Sequence, residues 1–187
     1  MAVTTLDPNT ALIVIDLQKG ILAYSTEPPV AEVVTRAAAL VAAFRRHALP
    51  IVLVTVAGRP PGRTEQAGPR IEPTPDWLDL LPELDRQPAD HLVTKRTPGA
   101  FTGTDLEPYL KGRGVTQVVI VGLATSNGVE ATARHAYELG FNVTLAIDAM
   151  SDTDSEKHQN SITRIFPRLA ETGRAQDIID LLDRGAH

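Results

Sequence analysis

The sequence predicts an α/β fold: three layers, α/β/α, around a central, mostly parallel sheet of the Rossmann-like kind. One observation is a set of short runs rich in Val and Ile, namely ALIVID (11–16), PIVLVTV (50–56), HLVTK (91–95), QVVIVGL (117–123) and NVTLAID (142–148). Near-continuous apolar runs of that length suit strands buried on both faces. The other is that helical segments lie between several of them. Strands alternating with helices imply parallel pairing through right-handed crossovers, with helices covering both faces.

Each element has its own signal. A helix is expected over 30–47, where Ala and Val gather on one face, and another over 104–112, opened by the capping box Thr104-x-x-Glu107. Further helices are expected over 129–139 and 156–166, and Gly114 and Gly140 stand where left-handed C-caps are wanted. Residues 58–90, rich in Pro, Gly and charge, read as one long excursion with a single turn near Trp77, and such loops are often lids or contact surfaces.

The chain has 187 residues, 43% of them hydrophobic, which suits one domain spanning 1–187. It has no Cys, so thiolate metal sites, disulfides and cysteine nucleophiles are excluded. The net charge of -5 is spread along the chain, and no Lys/Arg cluster alternates with aromatics, so no nucleic-acid partner is expected. No apolar run approaches the roughly 18 residues of a membrane span, and Met1 to Ile21 lacks a basic start followed by an apolar stretch, so no signal peptide is expected. A cytoplasmic protein acting on a small molecule is the expectation.

In an open parallel sheet, ligands bind beyond the carboxyl ends of the strands. Asp16 closes the first run, Lys95 the third, and the turn from Thr125 to Gly128 follows the fourth. A helix starting near Gly128 would offer free backbone N–H groups and a positive dipole end to an anion. Asp148 also ends a strand, but the Asp- and Ser-rich segment after it makes capping of the helix from Glu156 its expected duty. His91, His135 and His158 lack metal-ligand spacing, so neither metal nor cofactor is expected. Ser126 resembles an elbow nucleophile only loosely, because G-x-S-x-G is absent and no His partner can be named, so a capping role is favoured.

Three segments resemble the signatures of the isochorismatase-like hydrolases, also called the cysteine hydrolase superfamily: ALIVIDLQKGIL, VTKRTPGAFTGTDLEPYLKGRGV and VVIVGLATSNGVEATARHAYELGFNVTLAIDAMSD. The resemblance runs from about Ala11 to Phe166. It implies that Asp16, Lys95 and Gly128 are the catalytic positions, with Gly128 in the place of the superfamily's Cys nucleophile. It also implies substrate contacts from Gln18, Ile21, Phe101, Ala124, Thr125 and Val129, a cis Leu123–Ala124 peptide, and a homo-oligomer, most simply a dimer, with Trp77 available to anchor the contact. The metal-binding Asp and His residues of nicotinamidases have no counterparts at 55–63. Glycine at the nucleophile position is found in members that hydrolyse a vinyl ether, where Asp acts as general acid. The resemblance thus implies a metal-independent hydrolase of a small anionic vinyl ether. The alternatives are an amide or ester hydrolase using water or Ser126, and a catalytically silent ligand-binding relative.

Overall fold

The computed structural model describes residues 3–21, 26–65 and 74–185. Six strands form one parallel sheet in the order β3-β2-β1-β4-β5-β6. They are β1 (Thr10–Ile15), β2 (Ile51–Val56), β3 (His91–Lys95), β4 (Gln117–Leu123), β5 (Asn142–Ser151) and β6 (Glu171–Gly173). The chain leaves β1 toward β2 and β3 on one side and returns to β4 on the other, so β1 and β4 flank the topological switch point.

Alternation along β1 sorts its side chains between the two covering layers. Leu12 and Val14 join a core beneath the helices α1 (Val30–Arg46) and α5 (Ala175–Arg184), while Ala11, Ile13 and Ile15 join the opposite core. That second core packs under α2 (Leu106–Gly112) and α3 (Glu130–Glu138). All six β1 residues are buried, as expected for a central strand covered on both faces. Among the described residues, no helix is long and apolar enough to cross a membrane.

Several local expectations are corrected. The capping box at Thr104 does not form: α2 starts at Leu106, the Thr104 hydroxyl donates to the Ala100 carbonyl, and Glu107 pairs with Lys111 one turn on. The helix expected from 129 begins instead as a wide i→i+5 turn over Thr125–Val129 that runs into α3. The helix from 156 is α4 (Ser155–Asn160), capped by Asp154, whose carboxylate accepts the Glu156 and Lys157 N–H groups. Asp148 accepts the Ala175 N–H at the start of α5 and pairs with Arg36 at 3.5 Å. The strand β6 and the helix α5 add to the expected elements. Of the 58–90 excursion, residues 66–73 lie outside the described residues; the remainder includes two short 3₁₀ turns, Pro75–Leu78 and Pro82–Leu84. Trp77 is half-buried against its own chain, above Gly20, where an added Cβ would fall 2.0 Å from its ring.

At the switch point the backbones of β1 and β4 close on each other. Gly122 has φ 114, and a Cβ there would lie 2.1 Å from the Ile15 carbonyl oxygen. Backbone cannot yield as a side-chain tip can, so Gly122→Ala is expected to destabilise the fold by about 3 kcal/mol or more. Urea unfolding measures this, and a loss below about 1 kcal/mol would show that the strands part without cost.

Candidate active site

Asp16 follows β1 directly, in the left-handed region at φ 54, which Asp tolerates better than most residues. Its N–H donates to the Val54 carbonyl at 2.9 Å and its carbonyl accepts from Gln18 at 3.0 Å, a tight turn at the end of the strand. Lys95 ends β3, and β2 lies between the two strands. Its long side chain crosses that gap: Nζ stands 2.9 Å from Asp16 Oδ2 and also donates to the Pro98 carbonyl.

Both groups are almost wholly removed from water, Asp16 at 7% exposure and Lys95 at 1%. Asp16 Oδ1 has no hydrogen-bond partner although it is buried. Burial disfavours the charged carboxylate and is the largest influence on it, while the charge and hydrogen bond of Lys95 pull the other way. The balance raises the Asp16 pKa from 3.8 to about 6.

The third component comes from β4. After the cis Leu123–Ala124 peptide, the wide turn Thr125–Val129 brings Gly128 beside the ion pair. A Cβ on Gly128 would stand 3.0 Å from the Leu123 carbonyl oxygen, 3.0 Å from Ile15 Cγ2 and 3.1 Å from Lys95 Nζ. The ammonium therefore sits against the space that any side chain at 128 would enter. Wide turns of this kind recur at functional sites, because the extra residue re-aims the backbone.

Asp16, Lys95 and Gly128 share one crevice of about 480 Å³, together with Ile21 and Ala124. The other expected contacts stand off its wall. Gln18 is fully buried and braces the end of β2, accepting the Val56 N–H and donating to the Trp77 carbonyl. Phe101 packs with His135 and Phe141 in the core under α2 and α3, and Val129 is buried in that same core. Thr125 is fully buried, with its hydroxyl bonded to His158 Nδ1 at 2.8 Å. None of these four residues lines the crevice.

Sequence reasoning missed much of the far wall. Asn127, Asp152, Thr153 and Lys157 line it beside Ser126, which the sequence did offer as a candidate, and Arg59 and Thr97 lie on the side of β2 and β3. The Ser126 N–H donates to Asp152 Oδ2 at 2.8 Å, so this residue engages the next loop through its backbone. The available signal was that Asp152 follows β5, whose carboxyl end must open on the same edge of a parallel sheet. Among the described residues, no three His, Asp or Glu side chains lie close enough together to hold a metal ion.

The chain and its fold have known relatives. The isochorismatase domain family matches residues 10–177. The uncharacterized isochorismatase family protein YecD of Escherichia coli O157:H7 is 42% identical over 181 residues, covering 93% of this chain and 96% of its own length. Maleamate amidohydrolase of Pseudomonas putida is 26% identical, covering 92% of this chain and 86% of that enzyme. Among solved structures, an isochorismatase family protein from Burkholderia thailandensis superposes with a TM-score of 0.92 at 39% identity, covering 96% of this chain and 98% of that one.

Lys95 holds the Asp16 pKa down against burial, so removing the ammonium must let it rise. In Lys95→Met the Asp16 carboxyl is expected to titrate clearly above 6, as read by carbon-13 NMR of labelled Asp carboxyls. A value unchanged from the wild type would show that the two groups are not coupled.

Proposed function

Because the chain belongs to the isochorismatase family and is a hydrolase, we propose that it hydrolyses a small anionic vinyl ether by general-acid catalysis from Asp16, without a covalent intermediate. The observation that carries this reading is the fit of Lys95 Nζ against Gly128: the position that a nucleophilic side chain would need is bounded at 3.1 Å by an ammonium. What stands at that point is a proton donor and a cation.

The chemistry follows from these groups. The substrate carboxylate binds at Lys95 and turns its methylene carbon toward Asp16. The Asp16 proton passes to that carbon, leaving an oxocarbenium ion and the Asp16 carboxylate. Water adds to the cationic carbon and its proton restores Asp16, after which the hemiketal collapses to a 2-oxo acid and an alcohol. With a pKa of about 6, keeping Asp16 protonated at pH 7 costs about 1 kcal/mol, against about 4 kcal/mol for an ordinary carboxyl. Burial supplies the difference, and a substrate carboxylate that neutralises Lys95 moves the balance further toward the acid.

A second reading has support of its own. The likeness to maleamate amidohydrolase, together with the place of Ser126 on the crevice wall, favours an amide substrate attacked by water or by the Ser126 hydroxyl. A two-fold dimer belongs to the same proposal and is supported by the resemblance alone; light scattering that finds only monomer at micromolar concentration would remove it.

The deciding assay measures pyruvate release from isochorismate and simpler enolpyruvyl ethers beside ammonia release from maleamate. Asp16→Asn is expected to lower vinyl-ether turnover about 100-fold or more. The active form is protonated, so kcat/KM should rise as the pH falls through about 6 and level off below it. A rate that declines on acidification, or full turnover in Asp16→Asn, would exclude Asp16 as the acid. Maleamate turnover lost in Ser126→Ala would favour the second reading instead.

A further inference from the structure

The wide turn that carries Gly128 is held from beneath by the segment that follows β5. Thr125 Oγ1 meets His158 Nδ1 at 2.8 Å, the Ser126 N–H donates to Asp152 Oδ2 at 2.8 Å, and Ser161 Oγ donates to Glu130 Oε2 at 2.7 Å. The first of these bonds is the most deeply placed, with Thr125 at 0% and His158 at 5% exposure. His158 does not line the crevice, and nothing in the proposed chemistry uses it.

We propose that His158 is a positioning residue of the reactive turn, fixing through the Thr125 hydroxyl the backbone on which Gly128 sits. The inference rests on reading that turn as the site of chemistry. Burial holds the His158 pKa below 6.5 despite the charges of Asp152 and Glu27 nearby. The imidazole is therefore neutral at pH 7, and in the tautomer protonated at Nε2 its Nδ1 accepts the Thr125 hydroxyl proton. Removing either partner strands a polar atom in a dry wall, which costs more than the bond itself contributes.

The turn needs such an anchor. Among its backbone bonds, the Asn127 N–H donates to the Ala124 carbonyl at 3.0 Å and the Val129 N–H to the same oxygen at 3.2 Å, while the Glu130 N–H is shared between the Thr125 and Asn127 carbonyls. One carbonyl thus serves two donors, a wider and weaker closure than an α-helical start. At the far side of Gly128, Thr132 Oγ1 donates to the Gly128 carbonyl at 2.6 Å. Gly128 is consequently gripped through its carbonyl from α3 and through Thr125 from α4. A shift of a few tenths of an ångström at its Cα changes the fit against Lys95 Nζ, where the space is already tight.

The test is amide hydrogen exchange by NMR on the ligand-free full chain at pH 7, comparing the turn with the central strand. In His158→Ala, the Asn127 and Val129 amides should exchange about tenfold faster, with the Ile13 and Val14 amides of β1 unchanged within about threefold. His158→Asn, which puts an amide group where Nδ1 stood, should restore turn protection to within about threefold of wild type. A purely structural role would accelerate β1 and the turn together, and that outcome, an unaffected turn, or an Asn variant as poor as Ala would each overturn the proposal. Should His158→Ala fail to fold, the isosteric Thr125→Val removes the same bond from the other side and decides by the same comparison. Exchange needs no substrate, so an absence of vinyl-ether turnover, which would sink the proposed function, leaves this result standing. Where turnover is present, kcat should fall about tenfold in the Ala variant with KM little changed.

Discussion

The buried Asp16–Lys95 pair is the constraint around which the crevice is organised. Two charges taken out of water cost several kcal/mol each, and attraction offsets this only when the geometry is close and the remaining polar atoms are satisfied. Here the closest approach is 2.9 Å and Lys95 gains the Pro98 carbonyl, but Asp16 Oδ1 is left without a partner. Pairing therefore fails to cancel burial at the carboxyl, and its pKa stays raised at about 6. The proposed chemistry draws on that residual imbalance, since a carboxyl whose pKa lies near the working pH can act as an acid. It also explains the topology the pair requires. Asp16 and Lys95 leave strands separated by β2, and both reach one edge because β1 and β3 run the same way.

Much of this was legible in the sequence because burial on both faces leaves a plain record. A parallel strand under two helical layers must be apolar throughout, and the five Val- and Ile-rich runs became β1 to β5 with small shifts at their ends. The strand β6 left no such record. It is three residues long, ETG, at the sheet edge, with only Gly173 buried, so its pattern is that of a loop. The positions of Asp16, Lys95 and Gly128 were legible because each lies at, or a few residues beyond, the carboxyl end of an apolar run. Which side chains face the crevice was not. Phe101 and Val129 are apolar and close in sequence to the site, and composition cannot separate a pocket wall from the core behind it.

The same limit applied to the acids after β5. Asp148, Asp152 and Asp154 are equivalent by composition, yet each has a different duty: Asp148 meets the start of α5, Asp152 the Ser126 N–H, and Asp154 the start of α4. The choice among them is set by a register shift. Ile120 faces Leu145, but Gly122 faces Met150, so β5 bulges against β4 and carries Ser151 and Asp152 forward to the turn. A bulge of that size depends on tertiary packing and has no local sequence signal.

Gly128 and Lys95 explain one another. A side chain at 128 would have to push against the Leu123 carbonyl and Ile15 as well as the ammonium, and of these three only the lysine head has freedom to move. With glycine in place, Nζ can lie close to the turn while keeping its bonds to Asp16 and Pro98. With any larger residue, contacts of 3.0 to 3.1 Å require a neighbour to give by a few tenths of an ångström, and an ammonium displaced in this way would loosen the ion pair that moderates the Asp16 pKa. The absent side chain is therefore coupled to the acidity of the carboxyl. In the proposed chemistry the missing Cβ thus has two consequences: position 128 offers no nucleophilic side chain, and the cation that moderates Asp16 fits close to the turn.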